Sequence, residues 1–321
     1  MTAMWLLDTV FLAAMFGWLL SQILGVATVK WLTPGHIAPR IRQQRVLIAA
    51  LFAVLLPLVV VAAILAVNLF PSEDWMASHC EIHSHDHIHV CHNSAEQATL
   101  PVWHGAVALL AIVMIMEALV RTLVTERRLQ RRLQALIKLS NGQGRFRRLH
   151  DTRAVALAVG GSKPAVLISS GLLSSLKPHQ RRIVLAHESA HLRHGDPRRN
   201  HLVMVLLAFF VPPLAKRLQA VWENALEEAA DDAVIRRFNR FDVAETLLRV
   251  LGLQQLHLKG AQSLNSGDAQ ARIQRLIAPH QADPKTHRLF EWTCLLILPV
   301  MLVVVLAQHH AIETLLSWFG A

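Results

Sequence analysis

Ala186-His187-Glu188-Ser189-Ala190-His191 sets two imidazoles four residues apart, with a carboxylate beside the first. That spacing has chemical meaning on an α-helix, where residues four apart share one face about a turn from each other and can hold one zinc ion between them. The flanks agree with a helix. Ile183, Val184 and Ala186 recur at helical spacing, and Gly195, Asp196 and Pro197 end the pattern, so a helix is predicted over 179–194. Glu188 leaves that helix beside the first histidine, where it can take a proton from an activated water and later hand it to a leaving amine. With 19 histidines in 321 residues a chance match of this form is not negligible, so the surroundings must decide.

A catalytic zinc site needs three protein ligands and an open position. A source of the third arrives about 36 residues downstream, in Glu223-Asn224-Ala225-Leu226-Glu227-Glu228-Ala229-Ala230-Asp231-Asp232-Ala233. Glu227 and Asp231 are four apart on a helix predicted over 218–237. One can bind the metal while the other accepts the outer N–H of a ligand histidine. Glu228 and Asp232 have the same spacing and form a competing register.

Around these helices the chain reads as a small α+β domain dominated by helix. Residues 121–139 continue inward as a helix until Asn141, Gly142 and Gly144 break it, and a boundary is placed near 150. Two apolar runs, 154–159 and 165–169, are separated by Gly160-Gly161-Ser162-Lys163-Pro164 and suit a hairpin or two strands of a small sheet. The second is expected to be an exposed edge. Ala165, Val166, Leu167, Ile168 and Ser169 are then candidates to hold an extended peptide by strand addition. The apolar run 201–213 is too short to span a membrane and reads as a buried or interfacial helix. Further amphipathic helices are expected over 241–258 and 269–278.

Hydrophobic residues make up 53% of the chain and the mean hydropathy is +0.37, high for a wholly soluble protein. Four apolar stretches are long enough to cross a bilayer, at 5–29, 46–70, 101–120 and 289–307. The first has no basic residue ahead of it and exceeds a signal-peptide core, so cleavage is not expected. Asp8, His104 and Glu117 lie near span ends and can snorkel. Lys30, Arg40, Arg42 and Arg45 occupy the loop after the first stretch, residues 71–100 hold neither Lys nor Arg, and every other Lys and Arg falls between Arg121 and Arg288. Positive loops stay inside, so residues 121–288 are expected in the cytoplasm and both termini on the extracellular or periplasmic side of the inner membrane. The net charge of +10 raises nucleic acid as a partner, but no nucleic-acid motif accompanies Arg127, Arg128, Arg131, Arg132, Arg145, Arg147 and Arg148. At the inner leaflet these residues meet anionic headgroups, which makes membrane lipid the expected partner.

The loop at 71–100 carries His79-Cys80-Glu81-Ile82-His83-Ser84-His85-Asp86-His87-Ile88-His89-Val90-Cys91-His92. An extended backbone aligns His83, His85, His87 and His89 on one face, a candidate site for a second metal. Cys80 and Cys91 either pair as a disulfide in an oxidising compartment or, reduced, join a site for copper, zinc or nickel. Cys294 lies alone in the last apolar stretch and reads as packing.

Several elements together resemble one family. Pro164-Ala165-Val166-Leu167-Ile168, Gly171-Leu172-Leu173, His187 to His191 followed by Asp196, the apolar helix ending near Pro212, Glu227 to Val234, and Arg272-Ile273-Gln274-Arg275-Leu276 are similar to the M56 peptidases, the BlaR1/MecR1-type antibiotic-sensor proteins. The resemblance covers about 150–280. It implies four transmembrane helices with a cytoplasmic zincin-like (gluzincin) domain: three helices in 1–120, the peptidase domain in 121–288, and the fourth helix with a short tail in 289–321. It further implies one catalytic Zn2+ on His187, His191 and Glu227, support from Asp231, and Glu188 as general base. The implied substrate is a transcriptional repressor of the BlaI/MecI kind, with self-cleavage, in response to an extracellular signal such as a metal at the histidine loop.

The sensor peptidases append a penicillin-binding domain after the last span, whereas the sequence ends at Ala321, so β-lactam sensing is not expected. No tyrosine is present to stabilise an oxyanion, which leaves His194, His201 or an arginine such as Arg236 as candidates. The M48 quality-control peptidases of the HtpX type share the zinc motif and are the nearest alternative. Site-2 proteases place the motif inside a span, and Arg181, Arg182, Arg193, Arg198 and Arg199 argue against that here. A metal transporter or receptor, of unknown oligomeric state like the other readings, would place paired ionisable groups at mid-membrane, and none is visible.

Overall fold

Three long helices come first in the computed structural model, which describes residues 3–31, 37–69, 102–142, 144–161, 164–257 and 266–278. They are α1 (Ala3–Trp31), α2 (Pro39–Leu69) and α3 (Val102–Leu139). Among the described residues, Ala13–Lys30 of α1 and Pro39–Ala63 of α2 are long and apolar enough to cross a membrane. These two pack side by side. At Gly17 a Cβ would sit 2.6 Å from the Pro57 Cα, so only glycine lets the helices approach this closely. α3 continues unbroken from the third apolar stretch into the basic segment, with Leu109, Leu110, Ile112, Val113, Met114 and Met116 exposed. The fourth apolar stretch at 289–307, Cys294, and the loop residues Cys80, His83, His85, His87, His89 and Cys91 lie outside the described residues.

A three-stranded sheet follows, made of β1 (Phe146–Leu149), β2 (Ala156–Val159) and β3 (Ala165–Ser169) in the order β1-β3-β2. β2 and β3 form the expected antiparallel hairpin, with Leu157 opposite Leu167. The expectation of an exposed edge at Ala165–Ser169 is overturned. β1 pairs with the other side of β3 in parallel, Phe146 opposite Val166, and all five residues of β3 are buried. The edge facing the helices is β2, and the sheet begins before residue 150.

The remaining helices among the described residues are α4 (Ser170–Ser175), α5 (Pro178–His194), α6 (Asp196–Leu207), α7 (Pro212–Val234), α8 (Arg240–His257) and α9 (Ser266–Ile277). α5 starts at a proline, whose missing N–H costs nothing at a first turn, and ends at Gly195, which takes φ +70°. That left-handed residue reverses the chain at once into α6, and so returns Asp196 toward the end of α5.

α6 and α7 form an antiparallel pair whose apolar faces meet α2. Val46, Ala50 and Ala53 of α2 share one buried cluster with Val203 and Leu207 of α6 and with Leu218, Trp222 and Leu226 of α7. The turn between α6 and α7 rests on α1: Trp18 Nε1 donates to the Phe209 carbonyl at 2.8 Å, and Gln22 Oε1 accepts from the Val211 N–H at 3.1 Å. Within the run 201–213, Val203, Leu206, Leu207 and Phe210 are buried against the long helices, while Leu202 and Val211 stay exposed.

Candidate metal centre

α5 brings His187 and His191 onto one face, with their Nε2 atoms 3.2 Å apart and the rings edge-on. α7 crosses that face and delivers Glu227, whose two oxygens lie 3.3 Å from His187 Nε2 and 3.5 Å from His191 Nε2. One ligand atom from each of the three lies within 4.8 Å of the others. Zinc–nitrogen bonds of about 2.0–2.1 Å arranged tetrahedrally put neighbouring ligand atoms about 3.3 Å apart, so the donor set fits such an ion in identity and spacing.

The outer nitrogens strengthen this fit. His191 Nδ1 is 2.8 Å from Asp196 Oδ2, and His187 Nδ1 is 3.1 Å from Asp231 Oδ1. A ring that donates its Nδ1 proton to a carboxylate turns the lone pair of Nε2 inward. Two lone pairs and the Glu227 carboxylate then converge on one point, an arrangement that repels itself unless a metal ion or a proton lies between them.

Arg272 of α9 closes the far side. Its Nη1 is 2.9 Å from Glu227, and it grips both oxygens of Asp231 at 2.9 and 3.0 Å. Burial works against its charge, yet Asp231 and Glu227 hold it firmly protonated. Burial also works against ionising Glu227 and Asp231. His187, Arg272 and His191 together outweigh it for Glu227 and hold it well below the usual carboxylate range, and Arg272 with His187 holds Asp231 below that range. Burial pushes the His187 imidazole down, but the hydrogen bonds it donates to Asp231 and Glu227, with their negative charge, prevail and raise it to about 10. In the metal-free protein a proton on His187 thus supplies the positive charge that the carboxylates require.

Glu188 stands beside this cluster on the same helix. Burial raises its carboxyl against the lowering influence of the neighbouring histidines, and the Ala158 backbone in β2 reaches it. His187, Glu188, Glu227 and Arg272 line one cavity of about 520 Å³, with Leu157 and Ala158 of β2 along its wall. β2, rather than Ala165–Ser169, is the strand at this opening.

The second carboxylate pair faces elsewhere. Glu228 is buried against Arg42 of α2 and lies 3.2 Å from Arg275, while Asp232 is 2.8 Å from Arg275. Of the oxyanion candidates, His201 pairs with Glu126 at 3.3 Å, and His194 and Arg236 line a separate cavity, so none faces the histidine pair. Sequence reasoning saw Asp196 as a helix terminator and Arg272 as part of a similar motif, and missed their contacts. The signal for Asp196 was its place directly after a glycine that follows a ligand-bearing helix.

Two helices that present His-Glu-x-x-His and Glu-x-x-x-Asp to one another define a metallopeptidase class of site. A family model described as BlaR1 peptidase M56 matches residues 45–278, most of the chain, and the chain belongs to that peptidase family. No curated protein matches the chain. Family membership and the two apolar helices together associate the protein with membranes.

Proposed function

We propose that the chain is a membrane-anchored zinc metalloendopeptidase with four spans and a cytoplasmic catalytic domain. It cleaves a cytoplasmic protein, a transcriptional repressor of the BlaI/MecI kind, in response to an extracellular signal. The observation that carries the reading is the convergence of the Nε2 atoms of His187 and His191 with the Glu227 carboxylate, each imidazole backed at Nδ1 by its own aspartate. His187, His191 and Glu227 would hold the zinc ion, which supplies Lewis acidity toward a peptide carbonyl and makes water acidic at neutral pH.

The protein's own groups do the rest. Asp231 and Asp196 fix ring tautomer and orientation, and Arg272 fixes the Glu227 carboxylate. Glu188, half-buried in the cavity wall, accepts the proton of the attacking water and returns it to the leaving amine. The free edge of β2 pairs with an extended substrate strand and presents its backbone beside Glu188.

Two contacts of α2 reach the centre and provide a route for a signal. Arg42 binds Glu228, the neighbour of Glu227, and Gln43 Oε1 accepts from Arg199 at 3.0 Å, which in turn stands 3.9 Å from Asp196 behind His191. A shift of α2 therefore moves groups next to two of the three ligands.

The test uses the full chain in detergent or nanodiscs, with metal content and cleavage of cytoplasmic proteins measured together. Glu188→Gln is expected to retain zinc near one equivalent and to lose at least 100-fold in cleavage. Cleavage at the wild-type rate in that variant would sink the assignment.

A further inference from the structure

The turn between α6 and α7 sits beside the middle of α1 rather than beside its charged end. Trp18 Nε1 and Gln22 Nε2 both donate to the Phe209 carbonyl, at 2.8 and 3.3 Å, and Gln22 Oε1 accepts from the Val211 N–H. A Cβ at Gly25 would lie 2.7 Å from Phe210 Cε1 and 3.0 Å from Leu214 Cδ2, so the missing side chain lets the turn seat there. Between Asp8 and the exposed Lys30, α1 carries no charge, and its outward residues at this level are Leu19, Ile23 and Val26. A spanning helix shows such residues to acyl chains. Gln22 precedes Lys30 by eight residues. At the helical rise this is about 12 Å, inside the roughly 15 Å of hydrocarbon that one leaflet supplies.

The turn is built for a place without water. Ala208, Phe209 and Phe210 donate their N–H groups to Val205, Leu206 and Leu207, Val211 donates to Gln22, and Leu214 and Ala215 both donate to the Val211 carbonyl. Pro212 and Pro213 have no N–H to satisfy. Every N–H over 208–215 is thus used or absent, which irregular backbone needs at membrane depth and does not need in water. The run 202–215 holds no polar side chain, and Arg198 and Arg199 before it and Lys216 and Arg217 after it can reach headgroups as Lys30 does. At the tip, Val211, Pro212 and Pro213 are exposed.

We infer that this turn is a re-entrant element: residues 208–213 enter the leaflet that α1 leaves at Lys30, and Val211, Pro212 and Pro213 touch acyl chains. The membrane then holds one end of α7, the helix that carries Glu227 further along. The inference rests on α1 crossing the bilayer and is independent of the peptidase reading.

The full chain, with Cys80, Cys91 and Cys294 replaced by alanine, can carry a single bimane-labelled cysteine in nanodiscs. Two quenchers compete: phosphatidylcholine with a nitroxide on its acyl chain, and aqueous iodide. V211C and the α1 reference I23C are both expected to be quenched at least about threefold more by the lipid nitroxide than by iodide, whereas L248C on α8 responds to iodide alone. V211C quenched by iodide only, while I23C responds to lipid, would place the turn outside the bilayer and overturn the inference with α1 still crossing. V211C quenched by neither would show protein covering the turn, and overturns it equally. I23C quenched by iodide only would overturn both the inference and the span on which it rests. In the unaltered cysteine background, p-benzoylphenylalanine in place of Pro212 is expected to crosslink to phospholipid on illumination; crosslinks to protein alone would count against the insertion.

Discussion

Glu227 with Asp231 and Glu228 with Asp232 are two carboxylate pairs of identical spacing, displaced by one residue on α7, and they have opposite surroundings. The first pair faces the histidines of α5, whereas the second turns Glu228 to Arg42 of α2 and Asp232 to Arg275 of α9. One residue along a helix is a rotation of about 100°, which is enough to hand a side chain to a different neighbour. α9 serves both faces: Arg272 grips Asp231 and Glu227, and Arg275, three residues on, grips Asp232 and Glu228. The lesson is that identical local chemistry becomes a metal centre or a structural ion pair according to what packs against it.

The largest test of this contrast replaces each of the two glutamates in turn. Glu227→Ala is expected to lower metal affinity by at least 100-fold and to abolish cleavage, whereas Glu228→Gln keeps the metal, as elemental analysis would show. Loss of metal from both variants would remove the contrast.

Arg42→Ala probes the structural side. It leaves Glu228 buried with Arg275 alone and is expected to cost about 3 kcal/mol or more of stability, seen as a lowered Tm, with metal stoichiometry retained. An unchanged Tm would show that the pair contributes little.

The aspartates sharpen the comparison at smaller scale. Asp231→Asn is expected to weaken metal binding about 10- to 100-fold. Asp232→Asn, at a pair about one-third exposed, is expected to cost at most about 1 kcal/mol of stability and nothing in metal affinity. Competition against a chelator of known affinity measures both.

A pH series addresses the first face alone. His187 in the metal-free protein keeps its proton up to about pH 10, and the metal must displace it. Affinity is therefore expected to rise about tenfold per pH unit from 7 to 9 and to level off above about 10. Affinity independent of pH in that range would show that no such proton is displaced.

Much of the scaffold was legible because periodicity is a local property. The helix at Pro178–His194 and the helix carrying the acidic cluster follow from apolar spacing and from the glycine and prolines at their ends. The hairpin of β2 and β3 follows from two short apolar runs around a Gly-Gly turn. β1 was missed because Phe146-Arg147-Arg148-Leu149 carries two arginines, and its partner lies twenty residues away in parallel register. That miss turned β3 from a central strand into an apparent edge, and the substrate strand with it. Arg42, legible as a topological charge, turned out to be buried in an ion pair.

By itself the sequence determined which side chains share a helical face: His187 with His191, Glu227 with Asp231, Glu228 with Asp232. Only the tertiary structure decided which of the acidic faces meets the histidines, that Asp196 backs His191, and that Arg272 bridges ligand and support. The physical reason is one of range. Helical spacing arises from hydrogen bonds four residues long, whereas the rotation of one helix against another is set by side chains packed from distant parts of the chain.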